Sequence, residues 1–169
     1  MNLYQSLGYL VLGSRLRRLS ESFLSEINRA YQNEGIDFEA SWFPVFYLLS
    51  KNNSLSIKEL SDQTEVSHPA ASQLITNLKN KKLVTSVTSA NDGRKQLVQL
   101  TDSGRDLLAQ ILPIWDAILL AMDELLANEP ACNELLSSIG ALENAFKVTG
   151  LADRIGDKLN TELKTANHE

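Results

Sequence analysis

One short polar stretch, from Val66 to Asn80, holds the residues whose side chains are best suited to forming specific hydrogen bonds. It contains no carboxylate, and its outward positions are Ser67, His68, Pro69, Ser72, Gln73, Thr76, Asn77 and Asn80. Hydroxyl and amide groups both donate and accept hydrogen bonds, whereas a solvated helix face usually carries charged residues. This composition suits contact with base edges in the major groove of duplex DNA, with Pro69 against a thymine methyl. The alternative is a helix whose outer face is merely polar.

A second group of candidate residues lies in the turn from Asn91 to Lys95. The flanking runs 83–88 and 96–100 are β-branched or alternating, which predicts an antiparallel hairpin with two cations at its tip. An arginine on such an arm can enter a narrow minor groove, where negative potential is concentrated. Asp92 would then hold Arg94 in position, and Lys95 would join the DNA contact. The alternative is an ordinary hairpin with a charged tip.

Two short helices are predicted to position the polar stretch. Ser56 and Glu59 match a capping box, so a helix begins at Ile57 and closes by Thr64 and Glu65. The next helix has Ser67 as its N-cap and a proline in its first turn. Its apolar stripe, at helical spacing, is Ala71, Leu74, Ile75 and Leu78. The polar face is therefore on the side away from the core.

Long amphipathic helices flank this unit. The first is expected to end near 33–35, another runs from Arg105 to Leu126 with a bend at Pro113, and a last one stops at Gly150 before a weakly helical tail. Such terminal helices have more apolar surface than one core needs, which predicts a partner subunit. We expect 1–36 and 105–169 to form a helical dimerisation region, and 37–104 to form a DNA-binding lobe.

An aromatic-rich helix is predicted from Phe38 to Ser50, with Pro44 tolerated near its start. Trp42, Phe46 and Tyr47 have two interpretations. They pack in the core, or they line a pocket for a small molecule.

Composition excludes several classes of protein. The 169 residues carry a net charge of −5, but segments 1–51, 52–105 and 106–169 contribute 0, +2 and −7, so the central segment is the net-basic one. One cysteine and two histidines leave too few ligands for a disulfide framework or a structural zinc site. We expect no metal, no cofactor and a cytoplasmic location. No segment has the length and apolarity of a membrane span, and the N-terminal charges follow the apolar run, unlike in a signal peptide.

The central segment resembles the MarR family of bacterial transcriptional regulators. The residues that carry the resemblance are 66–75, 78–84, Asp92-Gly93-Arg94 and the run 97–104 with Leu100-Thr101-x-x-Gly104. The resemblance implies a mainly α fold with a small antiparallel β wing. In this fold a winged helix-turn-helix is flanked by long N- and C-terminal dimerisation helices. It also implies a homodimer, recognition helices in successive major grooves, and wings in the flanking minor grooves.

Individual residues follow from the resemblance by position. Arg94 matches the wing arginine, Asp92 its partner, and 67–76 the base-reading half of the recognition helix. Lys82 stands where many members have glycine, so a left-handed turn there must be held by a residue with a Cβ. Cys132 lies in the wrong element for the peroxide-sensing branch of the family, so we interpret it as a small packing residue.

The resulting functional hypothesis is a dimeric, sequence-specific DNA-binding regulator. It would most simply be a repressor of nearby genes that a small-molecule effector releases. Ser56, Lys79 and Lys81 would contact phosphates, and the operator would be an inverted repeat with half-sites about 34 Å apart. The alternative is a winged-helix module that binds protein and not DNA. No nucleophile, base and orienting group occur together, so we expect no enzyme.

Overall fold

Helices and one small sheet build the chain, in a computed structural model that describes residues 6–89, 92–93 and 95–166, with the backbone alone for 162–166. The elements are α1 (Leu12–Asn33), α2 (Phe43–Lys51), β1 (Leu55–Ser56), α3 (Ile57–Thr64), α4 (His68–Asn80), β2 (Val84–Thr88), β3 (Gln96–Leu100), α5 (Asp102–Ala127), α6 (Leu135–Val148) and α7 (Leu151–Ala166). Short 3-10 turns span Gly8–Val11, Ala40–Trp42 and Pro130–Cys132. The predicted fold class, mainly α with a small antiparallel β wing, is confirmed.

The sheet has the strand order β1-β3-β2, and both pairings are antiparallel. In the hairpin, Val84 faces Leu100 and Thr88 faces Gln96, so the predicted strand pair is confirmed with its first strand starting at Val84. Strand β1 was not predicted, because two residues carry no recognisable periodicity. It pairs Leu55 with Val98 and joins the hairpin to the start of α3.

The aromatic helix differs from its prediction at its start. A 3-10 turn covers Ala40–Trp42, and α-helix begins at Phe43 rather than Phe38. The physical reason is Pro44, which has no N–H to bond to the carbonyl of Ala40 and so sits best in the first turn.

The core is centred on α2 and the residues that lead into it. Tyr31, Phe38, Trp42 and Phe46 are buried, and Phe38 contacts the other three rings edge to face at centroid distances of 4.8, 5.5 and 5.1 Å. Further buried side chains join this cluster; they are Ile75 and Leu78 of α4, Leu83 between α4 and β2, and Leu55, Val84, Val98 and Leu100 of the sheet. Helix α4 and the sheet therefore pack against a cluster of buried aromatic rings.

The chain divides into two compact units, Met1–Leu119 and Leu120–Glu169. The second unit contains α6 and α7, and both helices expose large apolar side chains. These are Leu135, Leu136, Ile139, Leu142, Phe146, Val148, Leu151, Ile155 and Leu159. Within the described residues, no helix combines the length and apolarity needed to cross a membrane.

Candidate nucleic-acid interface

Helix α4 begins as its sequence predicts. The N–H of Ala70 donates to the Ser67 hydroxyl at 3.4 Å, and a proline occupies the first turn. Ala71, Ile75 and Leu78 are buried against the core. All of the predicted groove-facing residues except Ser72, which is half-buried, are exposed; they are Ser67, His68, Pro69, Gln73, Thr76 and Asn77. The fold thus brings the predicted base-reading residues together on one accessible face.

Two hydrogen bonds order the exposed face of α4. Gln73 Nε2 donates to Asn77 Oδ1 at 3.1 Å, and Thr76 Oγ1 donates to the carbonyl of Ser72 at 2.9 Å. The Gln73 carbonyl oxygen and the Asn77 amino group stay outside the amide pair. One acceptor and one donor side by side match the pattern that an adenine edge offers in the major groove.

The joint between α4 and the wing is a Schellman motif with lysine at the position that favours glycine. Lys82 has φ 60°, its N–H donates to the Lys79 carbonyl at 2.8 Å, and the Leu83 N–H donates to the Leu78 carbonyl at 3.0 Å. Leu78 and Leu83 are both buried, which supplies the apolar contact that accompanies this motif. The left-handed turn is therefore present in spite of the Cβ of Lys82.

Residues after the wing hold this joint in place. The Thr101 hydroxyl donates to the Lys82 carbonyl at 2.6 Å, and the Thr101 N–H donates to the Leu83 carbonyl at 3.0 Å. The Thr101 hydroxyl also accepts from the Gly104 N–H at 3.0 Å, so Thr101 caps the start of α5. A Cβ on Gly104 would lie 2.1 Å from the Leu83 carbonyl oxygen, so this close approach requires glycine.

The wing tip is described only in part. Arg94, the predicted minor-groove residue, lies outside the described residues, so its pairing with Asp92 stays a prediction. Asp92 and Lys95 are exposed, and the Lys95 N–H donates to the Asp92 carbonyl at 2.9 Å. Lys95 Nζ lies 3.0 Å from Glu59 Oε1, which links the turn that precedes β3 to α3.

Glu59 belongs to the predicted capping box, which is confirmed. Its Oε2 accepts from the N–H and the hydroxyl of Ser56, both at 2.7 Å, and the Glu59 N–H donates to the Ser56 hydroxyl at 3.2 Å. The pKa of Glu59 falls from 4.5 to about 2, mainly because of these hydrogen bonds from Ser56. The hydrogen bond from Lys95 lowers the pKa further by a smaller amount. Ser56 is also buried. A phosphate at Ser56 would therefore compete with the carboxylate of Glu59.

The two other predicted phosphate contacts differ in their surroundings. Lys79 is exposed in the last turn of α4. Lys81 Nζ instead lies 3.0 Å from Asp37 Oδ2 and 5.0 Å from the centroid of the Trp42 ring.

A cavity of about 570 Å³ opens within the first compact unit. Its lining includes Phe23, Leu24, Ile27, Tyr31, Ala40, Phe43, Tyr47, Ser50, Lys51, Leu112, Trp115, Asp116, Ile118 and Leu119. Of the three predicted pocket residues, Tyr47 is part of this lining, whereas Trp42 and Phe46 belong to the buried core. Phe43 and Trp115 were not predicted to line a pocket. Phe43 stands four residues before Tyr47 on α2, so helical spacing alone could have placed the two rings on the same side of the helix. Trp115 comes from α5, and nothing in its sequence position indicates a contact with Tyr47.

Trp115 also fixes one wall of the cavity. Its Nε1 donates to the Tyr31 hydroxyl at 3.0 Å, which joins α5 to α1. Burial raises the pKa of the Tyr31 hydroxyl, and the bond from Trp115 opposes this effect. Among the described residues, no group of His, Cys, Asp and Glu could hold a metal ion.

Comparison with known proteins agrees with this geometry. A family model described as MarR family matches residues 36–95, which include the helix-turn-helix and most of the wing. Over these residues the chain is similar to the MarR family.

The chain is also similar to a curated regulator and to solved structures. It is 27% identical over 104 residues to the HTH-type transcriptional regulator FarR of Neisseria gonorrhoeae, covering 60% of this chain and 71% of FarR. The S. aureus MepR–DNA complex has a TM-score of 0.63 at 22% identity, over 76% of this chain and 96% of MepR. Bordetella bronchiseptica BpsR, a protein whose DNA binding 6-hydroxynicotinic acid regulates, has a TM-score of 0.62 at 24% identity, over 76% of this chain and 92% of BpsR.

Proposed function

We propose that this protein is a sequence-specific DNA-binding regulator that inserts α4 into the major groove. The observation that carries the proposal is the exposed face of α4, which has no acid and presents the paired amides of Gln73 and Asn77 above a buried aromatic core. The likeness to MepR, a protein solved in complex with DNA, supports it at the level of the fold.

Each part of the surface has a separate role in this proposal. Gln73 and Asn77 read base edges, assisted by Ser72 and Thr76, while Pro69 contacts a thymine methyl. The further contacts are the exposed end of α4 at Ser67 and His68, the phosphate contact of Lys79, and the wing residues Asp92, Arg94 and Lys95. Lys95 would exchange its Glu59 partner for a phosphate, since both are exposed oxygen anions.

The regulator would act as a homodimer. The support is the apolar surface exposed on α1, which includes Leu16 and Leu19, and on α6 and α7 of the second unit. In this proposal 37–104 form the DNA-binding lobe, 1–36 and 105–169 form the dimerisation region, and the protein works in the cytoplasm. A two-fold dimer reads an inverted repeat, with its half-sites about one duplex turn apart.

The test is selection of bound duplexes from a random library by the full-length protein. We expect enrichment of one inverted repeat and binding that weakens as salt rises, because phosphate contacts release counterions. A matched control is a double variant, Gln73→Ala with Asn77→Ala, which removes both amides from an otherwise intact helix. Equal recovery of all duplexes by the wild type would contradict sequence-specific binding.

We further propose that the regulator is a repressor, released when a small molecule occupies the cavity lined by Tyr47. Aromatic walls favour a flat ligand, which would meet one cation, Lys51, and one anion, Asp116, in the lining.

The cavity proposal is tested with a panel of phenols and aromatic carboxylates, including 6-hydroxynicotinic acid. We expect one or more of them to release the selected operator from the wild type. In Ser50→Phe, the new ring would fill the cavity from its lining, so operator binding should persist while release is lost. Equal release of both proteins by the same compound would place the effector elsewhere.

A further inference from the structure

Lys81 occupies a special place at the end of the recognition helix. It is the C-cap residue of α4, and its N–H donates to the Asn77 carbonyl at 3.1 Å. It directly precedes Lys82, the residue in the left-handed conformation at the joint with the wing. Any contact that holds the Lys81 side chain therefore holds the end of the helix that carries Gln73 and Asn77.

The partners of Lys81 come from the segment between α1 and α2. Asp37 supplies a carboxylate oxygen at 3.0 Å from Nζ, and Trp42 supplies a ring face with its centroid 5.0 Å from the same atom. Asp37 is exposed, so its ion pair by itself contributes little stability. The Trp42 ring is only 3% exposed, so the ammonium group meets it with little intervening solvent.

Trp42 cannot move easily under Lys81. Phe38 contacts it edge to face at 5.5 Å, and Phe38 in turn contacts Tyr31 at 4.8 Å. Tyr31 is fixed by the hydrogen bond from Trp115. The end of α4 is thus tied to a rigid aromatic cluster that involves both α1 and α5.

We propose that Lys81 is a positioning residue, which sets the angle of the recognition helix through Asp37 and Trp42, and is not a phosphate contact. The inference rests on the proposed function, because positioning matters only if α4 reads DNA. To bind a phosphate, Lys81 would have to leave both the carboxylate and the ring. Lys79, two residues earlier, has no such constraint among the contacts of the described residues and remains the better phosphate contact.

Asp37→Asn separates the two roles, because a carboxylate repels phosphate. If Asp37 serves to hold Lys81, the variant loses about two- to fivefold in preference for the selected operator over random duplex, as expected for the loss of an exposed ion pair while the Trp42 contact remains. If Lys81 is a phosphate contact that Asp37 merely neutralises, the same variant binds all duplexes more tightly. That second result would overturn the proposal.

Lys81→Met and Lys79→Met form the matched pair of lysine variants. Both remove one positive charge near the end of the same helix. We expect Lys79→Met to reduce the salt dependence of binding by about one phosphate contact. We expect Lys81→Met to keep the salt dependence of the wild type but to lose operator preference, as Asp37→Asn does. We expect Lys81→Arg, which keeps the positive charge, to retain operator preference. Equal loss of salt dependence in the two Met variants would contradict a positioning role.

Amide hydrogen exchange tests, in the absence of DNA, whether Lys81 holds the end of α4. The amides of Lys81, Lys82 and Leu83 close the end of α4, and they should exchange about three- to tenfold faster in Lys81→Met than in Lys79→Met. Equal exchange rates in the two variants would refute the role of Lys81 in holding the end of α4. If the wild type selects no duplex, the proposed DNA-binding function fails, whereas faster exchange would still show that Lys81 holds the helix.

Discussion

At the residue scale, Glu59 connects two parts of the candidate interface. Its carboxylate completes the capping box at the start of α3 and pairs with Lys95, which directly precedes β3. The first contact is local in sequence, and the second joins residues 36 positions apart. A single half-buried carboxylate therefore fixes both a helix start and one side of the hairpin.

The lowered pKa of Glu59 gives a pH dependence with a defined sign. A carboxyl whose pKa falls on folding contributes stability above its unfolded pKa, and this contribution disappears as the pH drops through the folded pKa. The free energy of unfolding of the wild type should therefore approach that of Glu59→Gln between pH 4.5 and about 2. Chemical denaturation at several pH values measures this, with Asp62→Asn, exposed on the same helix, as the control. A difference that stays constant over this range would contradict the assignment.

Gln73 and Lys95 should affect DNA binding in different ways. Removing the base-reading amide in Gln73→Ala should change the preferred sequence at a cost of about 1–3 kcal/mol for the selected operator. Removing the ammonium group in Lys95→Ala should weaken binding to all duplexes alike and lower its salt dependence. Titration of operator and random duplexes at several salt concentrations distinguishes these effects. Unchanged specificity in Gln73→Ala would exclude Gln73 from the base-reading set.

At the element scale, the joint between α4 and β2 determines how the wing lies relative to the recognition helix. Lys82 closes the helix in a conformation that favours glycine, and Thr101 donates to the carbonyls of Lys82 and Leu83, while Gly104 leaves room for the Leu83 carbonyl. The motif Leu100-Thr101-x-x-Gly104 thus fixes the turn between α4 and β2. Its glycine is required by a backbone oxygen that leaves no room for a Cβ.

Substitutions at Lys82 should report the strain in this joint. Lys82→Gly removes a left-handed penalty of about 1–2 kcal/mol and adds a smaller entropic cost, so we expect a net gain of roughly 0.5–1 kcal/mol in the free energy of unfolding. Lys82→Val should instead destabilise the protein, because a branched side chain tolerates positive φ poorly. Thermal denaturation compares the two, with Lys81→Arg, adjacent to the joint but at negative φ, as the control. Higher stability of the Val variant would contradict this account.

At the scale of the whole molecule, the second compact unit exposes more apolar surface than a separate chain can keep in water without cost. Leu136 on α6 is 78% exposed and Leu159 on α7 is 56% exposed. Large exposed apolar side chains in this number favour an interaction site, and the homodimer proposal covers them with a second copy. The first compact unit, in contrast, has its own aromatic core.

Self-association tests this proposal. We expect the protein to sediment as a dimer, and Leu136→Glu to shift it toward monomer, because a carboxylate placed in an apolar interface loses its solvation. Ser138→Glu, an exposed position on the same helix without an apolar side chain, is the control for added charge. Analytical ultracentrifugation over a concentration series measures both variants. A monomeric wild type would refute the dimer.

Much of the recognition unit could be predicted from the residues alone, because the relevant bonds are local. Ser67 and Ser56 cap helices whose donors lie three residues away, and the turn residues between two alternating runs predict a hairpin. The Schellman motif at Lys82 also closes within five residues. Interactions of this range depend on residue type and spacing, which the sequence displays directly.

Contacts between distant segments required the folded chain. Lys81 meets Asp37 across 44 positions, Trp115 meets Tyr31 across 84, and β1 forms only where β3 offers it an edge. For the same reason Tyr47 lies on the cavity wall while Phe46, its neighbour on α2, is buried. Helical spacing shows which residues share a side of a helix, but the elements packed against that side determine whether it becomes core, cavity or interface.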